Sequence, residues 1–143
     1  MESNITTSNN LYGQIAELIQ SARKQVATQV NTALLVTYWN VGRIIVEDEQ
    51  KSEHRAEYGK QVLKELSKRL TKDFGKGFSV SNLQYMKRFY LKYQKQQTVS
   101  VKLSWSHYCE LLTISDDDKR SFYEQECINA QWSFRELKRQ IDS

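Results

Sequence analysis

Phe74-Gly75-Lys76-Gly77-Phe78-Ser79-Val80-Ser81-Asn82-Leu83 is the stretch that decides how this chain is built. Two glycines within three residues stop a helix, because glycine tolerates the left-handed conformation that follows a helix end. Ser79 or Ser81 then offers a side-chain oxygen to cap a new one. Upstream, Tyr58, Val62, Leu63, Leu66 and Leu70 recur at helical spacing and lead into Phe74. Downstream, Leu83, Met86, Phe89, Tyr90 and Tyr93 do the same. Helix, short glycine-containing turn and capped helix have the sequence form of a helix-turn-helix.

The second of these helices has two unlike sides. At about 100° per residue, with Leu83 at zero, Phe89, Tyr93, Met86 and Tyr90 fall within about 240–340°. Ser81, Gln84, Tyr85, Arg88, Lys92 and Lys95 fall within about 100–200°, the opposite side. One face packs, and the other offers hydrogen-bond donors and cations with no acid between Ser79 and Val101. A recognition helix needs both, since it docks on its own domain while bases and phosphates meet the other side.

Charge is concentrated in the same region. Between Tyr58 and Lys95 ten basic residues meet only Glu65 and Asp73, a net +8, so the rest of the +4 chain carries −4. A solvated lysine-rich face would explain part of this. The polarisation itself is the electrostatic footprint of a polyanion partner.

The rest of the chain reads as helix. Proline is absent and glycine occurs only five times in 143 residues, which disfavours an all-β fold and predicts one mainly helical domain. Residues 1–9 read as a disordered tail and 10–143 as a single helical domain. Leu11, Ile15, Leu18, Ile19, Ala22, Val26 and Val30 form a first helical stripe. Leu34, Leu35, Tyr38, Trp39, Val41, Ile44 and Ile45 form a second, wider one, expected to be a central helix. The polar run 47–53 ends that hairpin, and Gly42 is expected to let another helix approach closely. Alternation of Val99, Val101, Leu103 and Trp105 fits a short β wing or an extended linker. Further helices follow from Ser106, from the acidic start Asp116-Asp117-Asp118, and from Ser133 as a cap.

Other function classes find little support. No run of about 18 apolar residues could span a membrane, and the polar start lacks a signal region, which predicts a cytoplasmic product. Cys109 and Cys127 read as semi-buried thiols, and His54 and His107 lie at no ligand spacing. Glu136-Leu137-Lys138 and Asp117-Asp118-Lys119 match an acid-x-Lys pair of nuclease type, but neither lies on a strand beside a further acidic ligand. No glycine-rich phosphate loop is present. The expectation is a non-enzymatic chain with no metal or cofactor.

Several stretches together carry a family likeness: Tyr38-Trp39-Asn40-Val41-Gly42, Tyr58-Gly59-Lys60, Leu66-Ser67, and Phe74 to Ser79 with Asn82-Leu83 and Met86. Leu103-Ser104-Trp105-Ser106-His107-Tyr108, Phe122-Tyr123 and Trp132-Ser133-Phe134-Arg135-Glu136-Leu137 continue it. Over nearly its whole length the chain resembles the N-terminal domain of YhcG-type bacterial nuclease proteins. That resemblance implies a helical domain joined in cis to a nuclease domain of the PD-(D/E)XK class, of which this chain would be the N-terminal half. A looser likeness, through Leu103 to His107 and Ser133 to Leu137, is to the DNA-binding region of ParB-type partition proteins.

These readings lead to a DNA-targeting domain that places helix 81–95 on duplex DNA. Arg88 and Gln84 are the base-edge candidates, as Arg suits guanine and Gln adenine. Lys72, Lys76, Lys87, Lys92 and Lys95 are the phosphate candidates, Tyr85 a backbone or thymine-methyl contact, and Ser81 a further donor. The rival is a protein-interaction or dimerisation module built on the 11–45 stripe, and the two can coexist in a homodimer. RNA binding through the aromatics is less favoured, since most of them lie on the packing side.

Overall fold

The computed structural model describes residues 2–51, 55–95 and 98–143, and the side chains of 2–8 and 55–58 are outside that description. His54, the end of the polar run at 52–53 and the side chain of Tyr58 therefore lie outside the described residues. Six helices and no strand occur among the described residues. They are α1 (Glu2–Gln50), α2 (Arg55–Phe74), α3 (Val80–Lys92), α4 (Trp105–Leu111), α5 (Asp117–Ala130) and α6 (Phe134–Asp142).

The expected hairpin of two helices before residue 50 is one helix of 49 residues. Asn31, Thr32 and Ala33, between the two apolar stripes, contain no glycine or proline, so nothing turns the chain and the helix propagates. It begins at Glu2. At ~1.5 Å per residue α1 is about 74 Å long, and only its C-terminal half is buried by the rest of the molecule.

That half packs along α3. A Cβ at Gly42 would lie 2.0 Å from the Met86 carbonyl oxygen, so the two backbones meet where only glycine fits. α3 is the central element and contributes to two cores. Leu83 and Met86 pack with Tyr38, Ile45 and Leu63, while Phe89 and Tyr93 pack with Leu35, Trp39, Tyr108, Leu111, Cys127 and Leu137. Trp105 touches both groups. Its ring centroid stands 5.0 Å from Tyr38 and 5.2 Å from Phe89 at steep angles, the edge-to-face geometry aromatic quadrupoles favour.

No wing forms over 98–105. Val101 is exposed, which breaks the alternation, and no strand occurs among the described residues to complete a ladder. Side chains satisfy this segment instead. The Asn31 amide donates to the carbonyls of Val101 (3.1 Å) and Leu103 (2.9 Å). The Tyr108 hydroxyl donates to the Ser100 carbonyl (2.9 Å) and accepts from its N–H (2.7 Å). The segment is an extended connection lashed to α1 and α4.

The last three helices are capped by residues the sequence makes visible. Ser104, Asp116 and Ser133 each accept from the backbone N–H three residues on. His107 completes the first of these as a capping box, its Nδ1 meeting the Ser104 N–H at 3.1 Å and its Nε2 lying 2.9 Å from the Trp132 carbonyl. This histidine ties α4 to the α5–α6 turn and is a packed structural residue.

Candidate nucleic-acid interface

α3 is held at both ends. At its start the Ser79 hydroxyl accepts from the Asn82 N–H at 3.1 Å, and the Asn82 side chain donates to the Gly77 carbonyl while accepting from the Trp105 indole at 2.9 Å. Gly75 and Gly77 both have positive φ (84° and 107°), the conformation that ends α2 and turns the chain into α3. At its far end the buried Trp39 indole donates to the Tyr93 carbonyl at 2.6 Å. A helix fixed in this way presents its outer side chains in a set orientation.

The buried side consists of Leu83, Met86 and Phe89, all fully enclosed, with Tyr93 nearly so. The exposed side carries Ser81, Gln84, Arg88 and Lys92; the helix expected to run to residue 95 ends there with Tyr93 as its C-cap, so Lys95 is exposed beyond the helix end rather than on its face. Tyr85 lies at the border, half-buried, with the Arg88 guanidinium 5.2 Å from its ring centroid, within cation–π range. Lys72 and Lys76 are exposed on the last turn of α2 and in the connecting turn.

Two of the expected cations are already engaged. Lys87 turns toward α1 and forms a half-buried ion pair with Glu49 at 2.7 Å, away from the exposed arc. Its position, only about 40° from Leu83 on the helical wheel, is the reason. Lys92 reaches Asp117 at 3.3 Å, and Asp117 also pairs with the buried Arg120, whose guanidinium donates to the Ile114 carbonyl at 2.9 Å. Arg120 first, then Lys92, holds the Asp117 carboxyl below the usual carboxylate range. Arg88 and Lys92 thus border a hollow of ≈350 Å³ whose other wall is Leu112, Thr113, Ile114 and Ser115.

A second cationic feature went unnamed as a site in the sequence. Lys60, Lys64, Lys68 and Lys72 recur every four residues along α2 and are all exposed, forming one ridge that leads toward the turn. The i, i+4 spacing would have revealed it. No ion pair involving Lys72, Lys76 or Lys95 occurs among the described residues.

Among the described residues, no group of three or more His, Cys, Asp or Glu is placed to hold a metal ion. Asp117 and Glu136 serve as helix first-turn acids paired with Arg120 and Arg139. Burial pushes the Cys109 thiol up to about 12, with Glu110 adding to the effect, and burial also raises Cys127. No described helix is long and apolar enough to cross a membrane.

The family model of the DUF1016 N-terminal domain matches residues 14–143, which takes in every helix from within α1 onward and the whole α2–α3 region. The chain belongs to this family. A relative in Escherichia coli (strain K12), described as "Putative nuclease YhcG", is 37% identical over 163 aligned residues. The alignment covers 92% of this chain and 44% of that protein, so this DUF1016 N-terminal domain spans less than half the relative's length. The YhcG-type resemblance read from the sequence holds over nearly the full domain. No solved structure matches it.

Proposed function

We propose that this DUF1016 N-terminal domain is a DNA-targeting module that docks the exposed face of α3 on duplex DNA, with α2, the 75–79 turn and α3 acting as a helix-turn-helix. The observation that carries the reading is the division of α3 into a fully enclosed apolar side and an outer side of Ser81, Gln84, Arg88 and Lys92 without an acid, with Lys95 exposed just beyond the helix end. Arg88 and Gln84 read base edges. Lys72, Lys76, Lys92 and Lys95 bind phosphates, and Lys87 supports the helix from behind. The chain itself performs no catalysis, and a nuclease domain in cis, suggested by the relative's name and length, would cut where this module binds.

The test is fluorescence anisotropy of a labelled duplex titrated with the domain at several salt concentrations. About four phosphate contacts predict a log–log slope of roughly −3.6. The Arg88→Ala/Lys92→Ala variant is expected to bind more weakly with a flatter slope. Affinity unchanged in that variant would remove α3 from the interface, and no binding at low salt would end the DNA reading.

A further inference from the structure

The N-terminal half of α1 carries an apolar face that no described residue covers. Leu11, Tyr12, Ile15, Leu18, Ile19, Val26 and Val30 are each between 47% and 75% exposed. Their spacing is regular. Tyr12, Ile15, Ile19, Ala22 and Val26, continuing through Gln29, Ala33 and Val36, follow each other at alternating steps of three and four residues. That is the heptad seam by which two helices interlock.

This seam is separate from the core. The residues of α1 that meet the body, among them Asn31, Leu35, Tyr38, Trp39 and Gly42, centre about 180° around the helix from Ile15 and Ala33. Residues 9–36 contain only three charges, Glu17, Arg23 and Lys24. Glu17 and Lys24 fall on the body side, and Arg23 on the flank, about 80° from the seam centre. A seam with no charge offers nothing to an acidic or basic partner and repels nothing in an identical one.

We infer that this seam pairs with the same seam of a second copy, making the domain a two-fold dimer through α1. The seven side chains expose on the order of 100 Å² each, or roughly 700 Å² per chain, close to the ~800 Å² per partner of a standard interface. An isologous contact of this kind closes on itself and forms no filament. Pairing also supplies the packing that a projecting helix lacks, since an amphipathic helix draws most of its stability from tertiary contacts. The dimer is independent of the DNA reading, because its contact is apolar while phosphate binding is ionic.

Sedimentation equilibrium of the 143-residue chain without DNA tests it. The expected mass is twice 16.9 kDa, unchanged between low and high salt. Ile19→Glu/Val26→Glu places four charges in the seam of the dimer but leaves them exposed in the single chain, so the body still folds. Near-ultraviolet circular dichroism of Trp39 and Trp105 verifies this. The variant is expected at 16.9 kDa, its dissociation constant raised at least ~100-fold by buried unpaired charge. Glu17→Lys, on the other side of the same helix, is expected to leave the mass doubled. A wild-type mass of 16.9 kDa at all concentrations overturns the dimer, and loss of association in Glu17→Lys overturns the seam. DNA binding lost with the doubled mass intact would sink the functional proposal and leave this one standing.

Discussion

Gly42 of α1 lies against the backbone of Met86 in α3, so closely that an added methyl would stand 2.0 Å from the Met86 carbonyl oxygen and 2.7 Å from its carbon. The neighbour here is main chain in the middle of a helix and cannot swing aside. Gly42→Ala therefore forces the α1–α3 pair apart, and is expected to cost about 3 kcal/mol despite alanine's better helix propensity. A melting temperature lowered by about 10 °C would match. An unchanged midpoint would show that the helices sit further apart than described.

Lys87 and Lys95 separate support from contact. Lys87→Ala leaves Glu49 half-buried without its partner and is expected to lower stability by about 1 kcal/mol while leaving the DNA salt slope nearly intact. Lys95→Ala, exposed just beyond the helix end, is expected to reduce that slope by about 1 with no change in the urea midpoint. Swapped outcomes would place Lys87 on the binding face.

Thiol chemistry reports on the core around α4 and α5. Cys109 is pushed up to about 12, so at pH 8 only on the order of one molecule in 10⁴ carries the reactive thiolate. Cys127 is buried and also raised. A thiol reagent at that pH is expected to label neither cysteine in the folded protein and both in urea. Prompt labelling of the folded chain would mean that this region opens.

Two acids give stability opposite pH dependences. Asp117 is lowered from its ordinary 3.8 by Arg120 and Lys92, so its contribution is present above that value and lost as pH falls through its folded value. Glu124 is raised above its ordinary 4.5 by burial, despite accepting from the Tyr93 hydroxyl. Its charged form is disfavoured in the fold, so it adds stability as pH falls from its folded value toward 4.5. Asp117→Asn is expected to flatten the acid side of a urea-midpoint profile, and Glu124→Gln to remove the rise above it. Identical profiles in all three proteins would contradict both assignments.

How much of this was legible in the sequence varied with the range of the interaction. The glycine stop at Gly75 and Gly77, a serine cap for α3 at Ser79 or Ser81, the Ser133 cap, the acidic start of α5 and the division of α3 into two faces all follow from residues within a turn or two. The close approach at Gly42 was also readable, as a glycine in a strongly apolar helix. The unbroken α1 was missed because a wide second stripe resembles a new helix, and only the lack of a breaker at 31–33 argues otherwise. The alternation of Val99, Val101 and Leu103 left a β wing and an extended linker both open; a strand also needs a partner strand, which sequence spacing cannot supply.

The sequence alone determined the mainly helical character, the glycine stop between α2 and α3, and the concentration of positive charge in 58–95, since these depend on local backbone geometry and composition. Tertiary structure decided which charges remain available. Lys87 faces Glu49 from 38 residues away and Lys92 faces Asp117 from 25, and such pairs exist only once α1 and α5 have packed against α3. It also decided which of α1's apolar faces is core and which is bare, because a helix can bury only the side on which another element comes to rest.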